Sequence, residues 1–258
     1  MARSARERGL VYHFLSAVHA KKDLAERRIK VSKLDELNDP FEALGCSLPT
    51  REDRKKFRAI KAHINDEFGL VCFSEGWGNP LLWSHYGDRH KGMCLGFSVP
   101  EDALIKVRYT KSRDQLTPEL LAKEDCHRLL LSRKFRDWAY EEEHRMLLPL
   151  RDLDEEDSLY YKPFGRGLKL KEIIVGPMCV ATEVELRSLL RPPDPDILII
   201  KSRVAFNTYR VVENLQGFRT QDSRRPTRTR NATTSAPTKT LKHCTLKRSA
   251  SSPNATSS

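Results

Sequence analysis

The segment Val71–Phe97, VCFSEGWGNPLLWSHYGDRHKGMCLGF, contains two apolar runs, VCFS and MCLGF, that flank a glycine-rich bend and a short helical stretch, LLWSHY. Nearly continuous apolar character is typical of strands that are covered on both faces. We therefore predict two buried central strands, with Val71 and Leu95 inside. Because loops that leave strand edges are where folds present side chains to ligands, the polar residues between the two runs are candidates for a functional site.

Strands and helices are mixed along the rest of the chain without a regular βαβ repeat. A strand is predicted at Leu10–Leu15, after which Ser16 caps a helix, and apolar residues at helical spacing predict further helices at about Arg51–Phe68 and Pro118–Arg136. Apolar or alternating runs predict the remaining strands: Ile29–Lys33, Ile105–Tyr109, Met146–Leu150, Glu172–Val175, Ile197–Lys201 and Tyr209–Val212. The expected fold is a single α+β domain over residues 8–217, with a mixed or antiparallel sheet flanked by helices.

The net charge of +11 lies mostly at the C-terminal end of the chain. Residues 219–258 contain nine Lys or Arg and one Asp, so the preceding domain is nearly neutral. This tail is rich in Ser, Thr and Pro and poor in large apolar residues, which predicts a disordered segment over residues 218–258. Its positive charge is consistent with weak nucleic-acid contact, and a solvated extension without a fixed partner is the alternative.

Cysteine usage and the lack of recognisable targeting signals indicate the cellular compartment that we expect. None of the six cysteines forms a CxxC motif, and the N-terminal MARSARERGL is not followed by the apolar stretch of a secretory signal. No apolar run approaches the roughly 18 residues that span a bilayer. We expect a cytoplasmic protein with reduced thiols, no membrane partner and no metal site, and the sequence leaves the oligomeric state open.

Two clusters in the first half of the chain are candidates for chemistry. On the first strand, alternation places His13 on the opposite face from Tyr12. On the short helix LLWSHY, Trp83 and Tyr86 are three residues apart and share a face. The common alternative is structural in both cases, with a histidine satisfied by its neighbours and two aromatic residues in the core.

A third cluster is the acidic run that precedes a predicted strand. If that strand begins at Glu141, alternation places Glu141, Glu143 and Arg145 on one face. An exposed run of charge is the usual interpretation of such a pattern. The alternative is a functional site. An arginine beside two carboxylates at the start of a buried strand can keep one of them ionised and fixed in orientation. The residues leave both interpretations open.

Taken in order, the motifs of this chain resemble a family of uncharacterised, mostly bacterial domains of unknown function, over about residues 10–215. The matching residues are Tyr12, His13 and Ser16; Asn38, Asp39, Pro40 and Glu42; Cys72, Phe73 and Ser74; Trp83 and Tyr86; Lys91, Gly92, Gly96 and Phe97; Glu141, Glu143 and Arg145; and Glu172–Pro177. This combination of motifs is specific for the family, but the resemblance does not imply a particular activity.

A more distant resemblance, to ADP-ribosyltransferase-type folds, rests on residue order: a strand histidine, a strand ending in Ser with a later aromatic, and a Glu that opens a late strand. It implies that NAD is bound as a substrate between two small sheets and that ADP-ribose is transferred to a macromolecule of unknown identity. It also implies that His13 holds the ribose, Tyr86 stacks on nicotinamide, and Glu143 or Glu141 stabilises the ribosyl cation. The cofactor contacts expected from the resemblance are His13, Ser16, Ser74, Trp83 and Tyr86.

The competing hypothesis is a non-catalytic interaction module whose basic tail contacts nucleic acid. In that case Trp83, Tyr86 and the acidic cluster belong to the core. The two hypotheses differ in geometry, because an enzyme needs its site residues to converge on one open cleft. A scaffold leaves them dispersed or sealed.

Overall fold

The computed structural model describes residues 9–42, 45–115, 117 and 126–218. Contacts divide the chain into two units, Met1–Arg219 and Thr220–Ser258, and the described residues all belong to the first. The predicted disordered basic tail therefore lies, from residue 219 onward, outside the described residues.

Mixed strands and helices make up this part of the chain. The strands are β1 (Leu10–Leu15), β2 (Arg28–Val31), β3 (Cys46–Ser47), β4 (Phe68–Ser74), β5 (Met93–Ser98), β6 (Leu104–Lys106), β7 (Arg108–Thr110), β8 (Asp114–Gln115), β9 (Arg133–Phe135), β10 (Glu143–Pro149), β11 (Asp154–Glu156), β12 (Leu159–Pro163), β13 (Lys169–Val175), β14 (Leu198–Val204) and β15 (Val211–Glu213). The α-helices are α1 (Ala17–Glu26), α2 (Arg51–Glu67), α3 (Pro80–His85), α4 (Cys126–Leu131) and α5 (Glu183–Leu189).

Eight strands form the main sheet, in the order β15-β14-β13-β5-β1-β4-β10-β6. Strands β13 and β14 run parallel, whereas the other neighbours run antiparallel, so the sheet is mixed. The predicted α+β class is confirmed. The two apolar runs that flank the glycine-rich bend are β4 and β5, near the middle of the sheet, where Val71 and Leu95 are buried as predicted.

The main sheet is nearly interrupted between β1 and β4. Strand β5 pairs with all six residues of β1, from Leu10 to Leu15. Strand β4 pairs with β1 at Tyr12 opposite Ser74, and the register contains no further pair between these two fully described strands. On its other edge β4 pairs with β10 over seven residues. The sheet therefore has two well-paired halves that separate beyond a single junction.

The core is continuous on one face of the sheet and divided on the other. On the continuous face, Leu24 of α1 and Leu186 of α5 belong to one cluster with residues from both halves of the sheet. On the opposite face, Trp83 centres a cluster that covers the β1 half. A separate cluster that contains Phe57 and Leu131 covers the β4 half. The division of the core thus coincides with the division of the sheet.

The long helix predicted over Pro118–Arg136 is wrong in its last part. Residues 118–125 lie outside the described residues, and α4 ends at Leu131. The chain then continues as β9, which pairs in parallel with β7, and as a 3₁₀ turn, Arg136–Glu141. Pairing with a neighbouring strand outweighs helical periodicity here, as tertiary context often does.

Candidate active site

A cleft of about 210 Å³ opens where β1 and β4 separate. Its walls come from elements that are far apart in the sequence: β1, β4, the turn after β2, the end of α3, β9 and the start of β10. Site residues predicted from the sequence line it, namely His13, Ser74, Tyr86, Glu141 and Glu143. These five residues line one cleft, and their chemical roles stay predictions.

His13 bridges the gap in the sheet. Its Nδ1 lies 2.8 Å from the carbonyl oxygen of Cys72 on β4, in place of the backbone pairing that is missing there. A carbonyl only accepts hydrogen bonds, so Nδ1 carries the proton and Nε2 is left as an acceptor. Burial lowers the pKa of His13 more than this bond raises it, which favours the neutral ring.

Glu143 opens β10 and is held by two cations. Arg145 Nε and Nη2 donate to its two carboxylate oxygens at 2.8 and 2.9 Å, and Lys134 Nζ donates to Oε2 at 3.0 Å. Burial alone would raise the pKa of Glu143, but the charges and hydrogen bonds of Arg145 and Lys134 outweigh it and lower the pKa to about 2. Glu143 is therefore a buried carboxylate at the cleft that is ionised at neutral pH.

The pKa of Glu141 is displaced in the opposite direction from that of Glu143, although the two residues are only two positions apart. Tyr86 Oη donates to its Oε1 at 2.6 Å, and Lys134 Nζ donates to its Oε2 at 2.6 Å. Burial raises the pKa of Glu141, the positive charge of Lys134 lowers it and the negative charge of Glu143 raises it, with a net increase. Two neighbouring carboxylates with pKa values displaced in opposite directions are the usual pattern of an acid–base pair.

Two members of this cluster were not predicted as site residues. Lys134 lies in β9 and contacts all three carboxylates, including Glu42 Oε1 at 3.3 Å. Glu42 also accepts from Arg145 Nη2 at 3.0 Å. Glu42 belongs to the Asn-Asp-Pro-Phe-Glu motif, which was a usable signal, whereas Lys134 was hidden inside the helix that the periodicity predicted.

Two of the expected cofactor contacts lie elsewhere. Ser16 is the N-cap of α1, where its Oγ accepts from the backbone N–H of His19 at 3.3 Å. Trp83 is completely buried, and its Nε1 donates to the carbonyl oxygen of Trp77 at 2.6 Å. Neither residue is among those that line the cleft, in contrast to what the cofactor contacts expected from the resemblance require: Ser16 caps a helix and Trp83 packs in the core.

Residues of β2 and of the segment after it also line the cleft. Lys30 Nζ in β2 lies 2.9 Å from Glu36 Oε2, and both residues line the cleft. Asp39 Oδ1 accepts from the backbone N–H of Phe41 at 2.9 Å, which is the chain reversal predicted for the Asn38-Asp39-Pro40 motif. This part of the cleft wall is therefore fixed by local hydrogen bonds and carries charges of both signs.

Comparisons of this chain with protein-family models, with curated proteins and with solved structures find no match. Within the described ranges, no group of three or more His, Cys, Asp or Glu side chains is arranged to hold a metal ion. In the same part of the chain, no helix has both the length and the apolar character needed to cross a bilayer.

Proposed function

We propose that the cleft between β1 and β4 binds NAD and that the protein transfers ADP-ribose from it to a macromolecular acceptor. The observation that carries this proposal is the convergence of His13, Tyr86, Glu141 and Glu143 on one open cleft at the division of the sheet. Residues that served only as scaffold would have no reason to meet at an opening. A cleft between two half-sheets is also the arrangement that the resemblance to ADP-ribosyltransferase-type folds implies.

In the proposed reaction, the bond between C1′ of the ribose and the nicotinamide nitrogen breaks, and its electron pair leaves with nicotinamide. The sugar becomes an oxocarbenium-like cation. Glu143 would stabilise this cation, because Arg145 and Lys134 keep it ionised and fixed before the charge develops. A carboxylate that is fixed and ionised in this way is better suited to stabilising the cation than an exposed carboxylate would be.

The second half of the reaction needs a base for the incoming nucleophile. Glu141 is the more readily protonated of the two acids because burial raises its pKa. In the proposed mechanism a hydroxyl or amine of the acceptor attacks C1′ and transfers its proton to Glu141. The new bond to C1′ replaces the bond to nicotinamide, and no oxidant or metal is required.

His13 and Tyr86 would orient the sugar and the ring. The Cys72 carbonyl leaves Nε2 of His13 as an acceptor, which suits a ribose hydroxyl. The hydroxyl of Tyr86 is held by Glu141, so its ring is fixed at the cleft wall and can stack on nicotinamide.

The charge and size of the cleft support the nicotinamide end of NAD as the part that enters. Acidic residues outnumber basic ones along its wall: Glu36, Asp39, Glu42, Glu141 and Glu143 against Lys30 and Lys134. This excess favours the positively charged nicotinamide ring and the cation that follows. A volume of about 210 Å³ is smaller than the roughly 300–1,000 Å³ of sites that enclose a drug-sized ligand, so the ADP half would lie at the mouth.

The test is the release of nicotinamide from NAD by the purified full chain, with radiolabelled NAD used to detect transfer to total cellular protein or RNA. Glu143→Gln should reduce the rate by about 10²- to 10³-fold, because it removes one preorganised charge. Glu142→Gln is the matched control, since Glu142 is adjacent and exposed and should leave the rate unchanged. Protein that neither binds nor consumes NAD would overturn the proposal and favour the interaction module.

A further inference from the structure

A second cavity, of about 270 Å³, lies away from the proposed active site, between the C-terminal ends of α1 and α5 and the turn that joins β12 to β13. It shares no lining residue with the first cleft. The proposed reaction gives it no role. Its lining residues are Leu24, Arg27, Phe164, Gly165, Arg166, Lys169, Leu170, Leu190, Asp194 and Ile197.

The floor of the second cavity is apolar. Leu24, Leu170, Leu190 and Ile197 are all buried, and Phe164 packs partly buried against the same core. A cavity of about 150 Å³ with such a lining accepts a molecule of the size of benzene. The second cavity therefore has room for a small ring or a short alkyl chain.

The rim of the second cavity is positively charged. Arg27 is half-buried, and Arg166 and Lys169 are exposed. Within the described residues, none of these three cations forms an ion pair with a carboxylate. Among the described residues that line the cavity, Asp194 is the one acid, and its Oδ1 accepts from the backbone N–H of Asp196.

The backbone holds two of these cations in place. Arg27 is the left-handed C-cap of α1, where its N–H donates to Asp23 and its carbonyl accepts from Phe164 at 2.7 Å. Arg166 lies in the tight turn that two reciprocal bonds close between Gly165 and Leu168, at 3.0 and 3.1 Å. Such positions present the positive charges with little loss of backbone freedom on binding.

The carbonyl ends of two helices place partial negative charge near this cavity, which by itself disfavours an anion. Arg27 at the C-cap of α1 offsets that charge locally and leaves Arg166 and Lys169 available to a ligand. Guanidinium groups match the geometry of phosphate and carboxylate oxygens. An apolar floor beneath an unpaired cationic rim is complementary to a ligand that combines both features.

We propose that the second cavity binds a small soluble molecule with one phosphate or carboxylate head and a short apolar body. The head would lie against Arg166 and Lys169, and the apolar body would lie against Leu24 and Leu190. This proposal is independent of NAD chemistry, because it uses none of the residues of the first cleft.

Isothermal titration calorimetry of the full chain with octyl phosphate, below its micelle-forming concentration, tests the proposal. Octyl phosphate should bind at least tenfold more tightly than octanol, which lacks the charge, and than inorganic phosphate, which lacks the apolar chain. Equal affinity for octyl phosphate and either reference compound would overturn the proposal. So would binding to vesicles of an anionic phospholipid without binding to the monomeric compound.

Charge reversal locates the site. The double substitution Arg166→Glu and Lys169→Glu should weaken octyl phosphate binding at least tenfold, and exposed side chains can change without unfolding the chain. Lys171→Glu is the matched control, because Lys171 lies on the same strand outside the cavity lining. Equal loss in both variants would mean that general charge attracts the ligand and would overturn the assignment. Thermal melting of each variant verifies folding.

Discussion

Trp83 and Arg145 are the two largest side chains that are completely buried in the described residues, and they lie on opposite sides of the division between β1 and β4. Trp83 packs edge-to-face on Phe14, with ring centroids 5.1 Å apart. Arg145 is surrounded by charge and donates to Glu143, Glu42 and the carbonyl of Leu131. The first region is an ordinary core and the second is an ion network of similar burial.

The difference indicates what each region contributes. Burying Trp83 stabilises the fold through the apolar area that leaves water. Burying Arg145 with its carboxylates gains little, because the desolvation of the charges offsets most of their attraction. An apolar cluster would stabilise this half of the sheet at least as well. The ion network is therefore better explained by what it holds, namely Glu141 and Glu143 fixed at the wall of the cleft.

Substituting Arg145 by Met should give one of the two largest losses of stability. Among the described residues, the change leaves Lys134 as the one cation beside the buried Glu42 and Glu143. Breaking a buried pair on one side costs about 3–5 kcal/mol. Urea unfolding at neutral pH measures the loss. Arg151→Met is the control, because the side chain of Arg151 is 79% exposed and should lose almost nothing. Similar losses in the two variants would mean that Arg145 does not compensate the buried carboxylates as we describe.

Trp83→Ala should cost about 3–5 kcal/mol for a different reason, namely the loss of apolar burial and the cavity that remains. The two variants can be separated by pH. Acid protonates Glu143, whose negative charge Arg145 compensates, so the loss caused by Arg145→Met should shrink as the pH falls from about 4.5 toward 2. The loss caused by Trp83→Ala should not. If the two losses follow pH in the same way, the distinction between the regions fails.

Acid unfolding isolates the contribution of Glu143. Its pKa falls from 4.5 to about 2 on folding, so its stabilisation is present above about pH 4.5 and disappears as the pH falls toward 2. By linkage the amount is on the order of 3 kcal/mol. Glu143→Gln should flatten the dependence of unfolding free energy on pH in this range. The exposed Glu155→Gln should leave it unchanged, and a wild-type slope in Glu143→Gln would contradict the assignment.

The sequence predicted the elements of this fold better than their arrangement. Strands β1, β4 and β5 follow from local apolar patterns, which the folded chain keeps. The division between β1 and β4 depends on which strands pair and over what length, and no local pattern encodes that. Lys134 was likewise assigned to a helix, because the parallel pairing of β9 with β7 is a tertiary contact.

The acidic run shows how a correct grouping can arise from incorrect local geometry. Glu141, Glu143 and Arg145 were predicted on one face of a strand that begins at Glu141. The strand begins instead at Glu143, and Glu141 ends a 3₁₀ turn. Glu142 takes a left-handed conformation, with φ of 46°, and Glu141 and Glu143 both contact Lys134 on the two sides of that reversal. Alternation predicted that these side chains lie together. The backbone conformation that brings them together could be learned only from the structure.

Tyr86→Phe should have the smallest effect and tests how the two regions connect. The ring of Tyr86 packs with the Trp83 cluster, while its hydroxyl donates to Glu141 in the ion network. The substitution keeps the packing and removes one hydrogen bond to a charged group, which is worth about 1.5–3 kcal/mol. Tyr160→Phe is the matched control, since no described residue bonds the Tyr160 hydroxyl, and its change should stay within about 0.5 kcal/mol.

The same substitution should move a pKa in a direction that packing alone does not explain. The hydrogen bond from Tyr86 lowers the pKa of Glu141 against the larger effect of burial, so removing it should raise that pKa further. An NMR titration of the Glu141 carboxyl measures the change. An unchanged pKa, or a loss of stability equal to that of Tyr160→Phe, would mean that the hydroxyl does not couple the apolar core to the ion network. The two regions would then be independent neighbours of one cleft, and the orientation of Tyr86 would depend on packing alone.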